Sequence, residues 1–346
     1  MRVLFDLKHP AQVRFFVHAV AALRRGGDEV LVTSRHKDET VALLDSIGVS
    51  HVCLSRMGTG LLGMGAELVG RTCRMLKLAR RFRPDVLVAR TGITIGLVGK
   101  ALGIPRVVFD DTEFAWLQRS LSVPLATVVC TGMGYSRRFP GKQREFAAPP
   151  QLLYTHPARF ASNADVLRRH GIEPDEPYIV VRVKAWRALH DMGVQQPADE
   201  RLKALVRKIQ SFGRPVITSE RPLPEALRRL RSPLPVEHAL DLLAFARLYV
   251  GEGSCMAAEA ACLGTPAVFV SPVSRRGYLD ALERHYGLVK TVEDHDGAAR
   301  AAEEWLADPD QPDRAREARE RMVRDCEDPL DFMLKTIRDI GNGVRP

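Results

Sequence analysis

Short apolar runs alternate with amphipathic helical stretches along most of the chain. In the first half, residues 3–7, 29–33, 51–54, 85–89, 106–109 and 127–130 have the length and β-branched content of buried strands. Between them, apolar residues recur at helical spacing over residues 13–25, 39–47, 61–82 and 95–102. Strands apolar on both faces and separated by helices predict right-handed βαβ units, hence a parallel sheet covered on both sides. At Ala147-Ala148-Pro149-Pro150 the rhythm stops, because paired prolines hold the backbone extended. It then restarts. Strands are expected at residues 178–183, 215–218, 248–250 and 267–270, and helices at 200–212, 224–230, 238–246 and 255–263. The tail from residue 298 to 340 reads as charged helix.

The expected fold class is therefore α/β, with two Rossmann-like doubly wound parallel-sheet domains facing a cleft. The domains are placed at residues 1–148 and 149–326. A C-terminal helix, 327–346, is read as returning to the first domain. A length of 346 residues suits two cores of ordinary size.

Composition changes this picture little. No apolar stretch is long enough to span a membrane, and the first residues run directly into a strand, so a cytoplasmic location is expected. The six cysteines form no Cys-x-x-Cys pair and read as reduced and not metal-binding. A net charge of +9 points to an anionic partner, yet no nucleic-acid recognition module accompanies it, so none is expected.

The segment Tyr249-Val-Gly251-Glu-Gly253-Ser254-Cys255-Met-Ala-Ala-Glu259-Ala260-Ala-Cys-Leu-Gly264-Thr-Pro266 carries most of the chemistry. A strand ends near Val250, Gly251 and Gly253 permit a tight turn, and Ser254 is placed to cap a helix. The amides of Ser254 and Cys255 would then open onto an anion. Glu259 lies too deep for the same phosphates and suits sugar or ribose hydroxyls. An ordinary capped strand–turn–helix would use the same residues. After the first strand of the second half, residues 178–183, Lys184 or Arg187 is placed to neutralise a diphosphate and Trp186 to wall the sugar or base, or simply to pack.

In the first half, His9-Pro10 follows the first strand, where a histidine either takes a proton from an acceptor hydroxyl or caps the helix. Asp110-Asp111-Thr112-Glu113 ends the fifth strand. Asp111 and Glu113 are read as candidate base or acceptor-binding groups, with helix capping as the plainer reading, and crowding is expected to raise at least one pKa. Six basic residues between Arg71 and Arg83 follow the apolar residues 60–64. With residues 60–64 read as an exposed apolar loop they fit an anionic membrane surface, the plainer reading being a Rossmann helix with solvated charges.

Glu259-Ala260-x-x-x-Gly264-x-Pro266 resembles the signature of B-type glycosyltransferases and of hydrolysing UDP-N-acetylglucosamine 2-epimerases. Phe5-Asp6-x-x-His9-Pro10, Phe109-x-Asp111-Thr112-Glu113, Tyr154-x-His156-Pro157 and Gly251-x-x-x-x-Met256-Ala-x-Glu259-Ala260 together resemble the domain of unknown function 354 family within that superfamily. The resemblance implies the fold and a nucleotide-sugar ligand, with the acceptor side in residues 1–148 and the nucleotide-sugar side in 149–326. With the helix at Ser254 stabilising the leaving diphosphate in place of a metal ion, the expectation is a metal-independent glycosyltransferase without a cofactor. It would act on a nucleotide-diphosphate sugar and a glycan or lipid-linked acceptor in cell-surface assembly, with peripheral membrane contact in view. A 2-epimerase or a non-catalytic sugar-nucleotide-binding protein are the alternatives. The epimerases place an aspartate near Ala89-Arg90-Thr91-Gly92, where this chain has Arg90.

Overall fold

The computed structural model describes residues 1–37, 39–111, 113, 116–185, 199–271 and 277–344, with Leu61 in its backbone alone. Two compact units emerge, Met1–Tyr154 with Glu327–Pro346, and Thr155–Cys326.

The first unit runs β1 (Arg2–Leu7), α1 (Pro10–Arg25), β2 (Glu29–His36), α2 (Thr40–Ser46), β3 (Val52–Arg56), α3 (Gly60–Phe82), β4 (Val86–Arg90), α4 (Ile93–Leu102), β5 (Arg106–Asp110), α5 (Trp116–Ser122), β6 (Val128–Thr131) and β7 (Gln143–Glu145). Its seven strands are all parallel, in the order β3-β2-β1-β4-β5-β6-β7. The crossovers through α1 and α2 step toward β3, while those through α3, α4 and α5 step toward β7. Right-handed connections therefore place the two groups of helices on opposite faces. The side chains agree with this. Leu4, Leu87 and Val108 form a core with Met75, Ala79, Ile95 and Val98, whereas Phe5 on the other face stacks on Phe16 of α1.

A short helix, α6 (Leu152–Thr155), leads into the second unit. There follow α7 (Ala164–Arg169), β8 (Tyr178–Val183), α8 (Asp199–Ile209), β9 (Arg214–Ser219), α9 (Ala239–Ala244), β10 (Leu248–Gly251), α10 (Ser254–Leu263), β11 (Ala267–Val270), α11 (Gly277–Ala281), β12 (Val289–Val292), α12 (His295–Ala307) and α13 (Gln311–Asp325). The five strands are parallel, in the order β12-β11-β10-β8-β9. After Cys326 the chain returns to the first unit as α14 (Pro329–Gly341), which packs on α1, β4 and β5.

Several local expectations are corrected. Residues 225–230 form a 3-10 turn rather than an α-helix, because flanking prolines remove donors and fix the backbone. The expected helix at 238–246 shortens to α9 behind a 3-10 turn at Val236–His238. Residues 60–64 are not a loop but the first turn of α3. The edge strands β7 and β12 were not expected. Each is short, and partly polar or half-exposed, so neither carries a strong apolar signal. Among the described residues no disulfide links the six cysteines, and Cys130 and Cys262 are buried. Among the described residues, no helix is long and apolar enough to cross a membrane.

Candidate functional site

In a doubly wound sheet, ligands collect beyond the carboxyl ends of the strands where the winding direction reverses. Here the reversals fall between β1 and β4 in the first unit, and between β8 and β10 in the second.

At the first reversal, Lys8 leaves β1 and donates from Nζ to the Thr91 carbonyl at 3.0 Å. Burial pushes its ammonium below the usual lysine value, opposed by the nearby Asp6. Thr91 sits directly after β4 with φ +50, a left-handed conformation unusual for a β-branched residue and most often kept where a site requires it. Gln12 ties the two strand ends together. Its Oε1 accepts the Lys8 amide at 2.7 Å and its Nε2 donates to the Arg90 carbonyl at 3.4 Å.

His9 is the N-cap of α1, its Nδ1 accepting the Ala11 amide at 3.2 Å. In the neutral ring the proton then resides on Nε2, which makes that nitrogen a donor rather than an acceptor. The carboxylates at the end of β5 and just after it each have a partner of their own. Asp110 accepts the Tyr135 hydroxyl at 2.8 Å. Asp111 takes both arms of the Arg90 fork, with Nε to Oδ1 at 2.8 Å, and Arg90 also lies over the Phe15 ring. Glu113 accepts the Ser136 amide. The structure thus brings His9 and Asp111 to one sheet edge through Gln12 and Arg90. The composition of that link, and Lys8 beside it, carries no motif in the sequence.

At the second reversal, β10 ends at Gly251 beside β8. A Cβ at Gly251 would lie 2.5 Å from the Arg182 carbonyl oxygen, and one at Gly253 would lie 3.0 Å from Arg182 Cγ and Tyr249 Oη. Neither glycine has positive φ. They are needed for the close approach of neighbouring chain rather than for a left-handed backbone. Gly264 does take the left-handed C-cap role, at φ +89. Ser254 is not the N-cap. Gly253 is, without a side-chain cap bond, and Ser254 begins the helix. The first intrahelical bond runs from the Ala257 amide to the Gly253 carbonyl at 2.9 Å, so the amides of Ser254, Cys255 and Met256 precede the ladder. The turn is held from beneath by the buried Tyr249, whose hydroxyl donates to the Gly253 carbonyl at 2.9 Å and accepts its amide at 3.2 Å.

Glu252 sits inside this turn, where a carboxylate would repel an anion. It is turned inward and buried, accepting the Lys184 amide at 2.7 Å, with His295 Nε2 at 3.5 Å. Desolvation holds the His295 imidazole below its ordinary pKa. Lys184 is thereby placed at the end of β8 next to the turn. Glu259 is buried on α10. Trp186 and Arg187 lie outside the described residues. Tyr249, Glu252 and His295 were not singled out from the sequence. The first two stand inside the quoted motif, but His295 is brought in only by the fold of α12.

Arg71, expected among solvated cations, is buried. It donates to Asp6, to the Ser34 carbonyl at 2.8 Å and to Ser55 Oγ at 3.0 Å. Ser55 in turn bonds Glu67, which pairs with Arg35. This ionic group lies along β1, β2 and β3, within electrostatic reach of Lys8.

The chain is 23% identical over 283 residues to an uncharacterized protein of Methanocaldococcus jannaschii, covering 78% of this chain and 82% of that one. Its structure is similar to that of a UDP-GlcNAc 2-epimerase from the same organism, with a TM-score of 0.68 at 13% identity over 99% of this chain and 100% of that one. It is also similar to a glycosyltransferase of Streptomyces sp. SF2575 complexed with thymidine diphosphate, with a TM-score of 0.63 at 18% identity over 98% and 99%. The two parallel-sheet units share the B-type glycosyltransferase fold with these proteins. Residues 1–148 match the family described as "Protein of unknown function (DUF354)".

Proposed function

We propose that the chain binds a nucleotide-diphosphate sugar on its second unit and transfers the sugar to a hydroxyl of a glycan or glycolipid acceptor, without a metal ion. The observation that supports this is the turn between β10 and α10. Three amides precede the helical ladder there, at the positive end of a ten-residue helix and at a winding reversal. Charge builds on the diphosphate as the glycosidic bond breaks, and fixed amides stabilise it without reorganising. Lys184 adds a cation beside the turn, and Glu259 accepts hydroxyl groups of the donor. On the first unit, His9 Nε2–H orients the acceptor and Glu113 takes the proton. Asp111 is better fitted to hold Arg90, since both of its oxygens meet the guanidinium.

The test is a melting-temperature screen of UDP-, GDP-, dTDP- and CDP-sugars, with and without EDTA, followed by chromatography of products. A ligand at one hundred times its Kd adds about 2.7 kcal/mol of stability. The expected result is a shift with one nucleotide class, unaffected by EDTA, and sugar joined to acceptor with release of the free nucleotide. No shift with any sugar nucleotide refutes donor binding. Release of free 2-epimerised sugar refutes transfer in favour of epimerisation.

A further inference from the structure

We propose that the α3–α4–α5 face of the first unit docks on an anionic lipid bilayer. These three helices cover one face of the sheet, with α4 packed against both neighbours. Their sequences contain one acidic residue, Glu67, against seven basic ones, Arg71, Arg74, Lys77, Arg80, Arg81, Lys100 and Arg119. Glu67 is turned inward. Its side chain is 7% exposed and engaged by Arg35, Ser55 Oγ and the Gly58 amide. Arg71 is spent on Asp6. The solvent side of α3 therefore carries Arg74, Lys77, Arg80 and Arg81 with no carboxylate of its own.

The same face carries apolar groups that the unit does not bury. Leu62 is 91% exposed and Val69 65%, and with Ala66 and Cys73 they form a stripe at helical spacing that runs into Lys77 and Arg80. On α5, Trp116 is 66% exposed, with Leu117 and Leu121 also in solvent, and Leu97 projects from α4. Exposed aliphatic groups beside uncompensated cations, with a tryptophan among them, match the boundary between lipid headgroups and acyl chains. A nucleic acid would use the cations and leave Leu62, Val69 and Leu121 in water. A second copy of this face would set cation against cation. The surface belongs to the first unit and does not depend on the nucleotide-sugar reading.

The experiment is flotation with vesicles of phosphatidylcholine alone or mixed with phosphatidylglycerol. The protein is expected to float with the mixed vesicles at low salt, to be released at high salt, and to ignore pure phosphatidylcholine. Each basic residue near such a surface is worth about fivefold in partitioning, so Arg74→Glu with Lys77→Glu and Arg81→Glu lowers it by about a hundredfold or more. Leu62→Ser with Trp116→Ser lowers it with the charge unchanged, and Trp116→Phe removes a vesicle-induced blue shift in emission. All these side chains are exposed, so the melting temperature should hold. If charge reversal does lower it, glutamine at the three positions is the substitute. The proposal is overturned if the parent does not float with anionic vesicles, or if the charge variants float equally well. It is also overturned if the Leu62→Ser and Trp116→Ser variant binds like the parent, which would make the face a site for any polyanion.

Discussion

Replacing Tyr249 by phenylalanine removes a single oxygen from the turn on which donor binding is proposed to rest. That oxygen donates to the Gly253 carbonyl and accepts the Gly253 amide. Burial pushes the phenol pKa up, so the hydroxyl stays protonated and serves both contacts across the working pH range. Phenylalanine keeps the buried ring. The Gly253 carbonyl retains the Ala257 amide at 2.9 Å, so on that side one neutral bond is lost, about 0.5–1.5 kcal/mol. The Gly253 amide loses its acceptor but is only half-buried, which keeps its penalty near the low end of about 1–3 kcal/mol. The expected loss for Tyr249→Phe is about 1.5–2.5 kcal/mol, and in a unit of this size each kcal/mol lowers the melting temperature by about 2–4 °C. If the hydroxyl also preorganises the amides of Ser254 to Met256, donor Kd rises by about 10–70-fold, the same free energy read as affinity. Calorimetric melting and titration with the donor from the screen measure the two effects separately. An unchanged melting temperature would refute the structural role of the hydroxyl. A lowered melting temperature with unchanged affinity would show that the ligand does not depend on the order of this turn.

Three further outcomes are expected. Arg71→Met strands the buried Asp6 carboxylate and should destabilise the first unit by about 3–5 kcal/mol in denaturant titration, while Asp6→Leu with Arg71→Met recovers much of the loss. A double variant no more stable than Arg71→Met would contradict this. His295, whose folded pKa lies below its ordinary 6.5, contributes stability that is whole above that value and declines as pH falls, because the unfolded chain takes the proton first. The slope is at most about 1.4 kcal/mol per pH unit, and His295→Gln should flatten it. His9→Asn keeps a capping acceptor for α1, whereas His9→Ala forfeits about 1 kcal/mol of cap. Both should lose about 100-fold in turnover at nearly unchanged donor affinity, and full turnover in His9→Asn would remove His9 from the reaction.

The alternation of apolar runs and helical stretches was enough to show two doubly wound sheets. A parallel strand buried on both faces must be apolar along its length, and its crossover must be long enough to hold a helix. Gly264 could be read for the same reason: a helix ending in a left-handed residue selects glycine. The turn after β10 was legible as a feature, but the reasons for its glycines were not. Gly251 and Gly253 answer to Arg182 and Tyr249, one on the neighbouring strand and one beneath the turn, and nothing along the chain marks that proximity.

Charge was the property that sequence described least well. Arg71 and Arg74 stand three residues apart on one helix, yet one is buried against Asp6 and the other lies in solvent. Asp111 and Glu113, adjacent in the motif, have unrelated partners, and Asp111 meets Arg90 from a strand twenty-one residues earlier. A side chain's periodicity reports which face of its own element it occupies. Whether that face meets solvent, a carboxylate or a strand end depends on the order of strands in the sheet. That order is set by long-range packing, and it brought Lys8, Thr91 and Arg90 to one edge and Lys184, Glu252 and His295 to another.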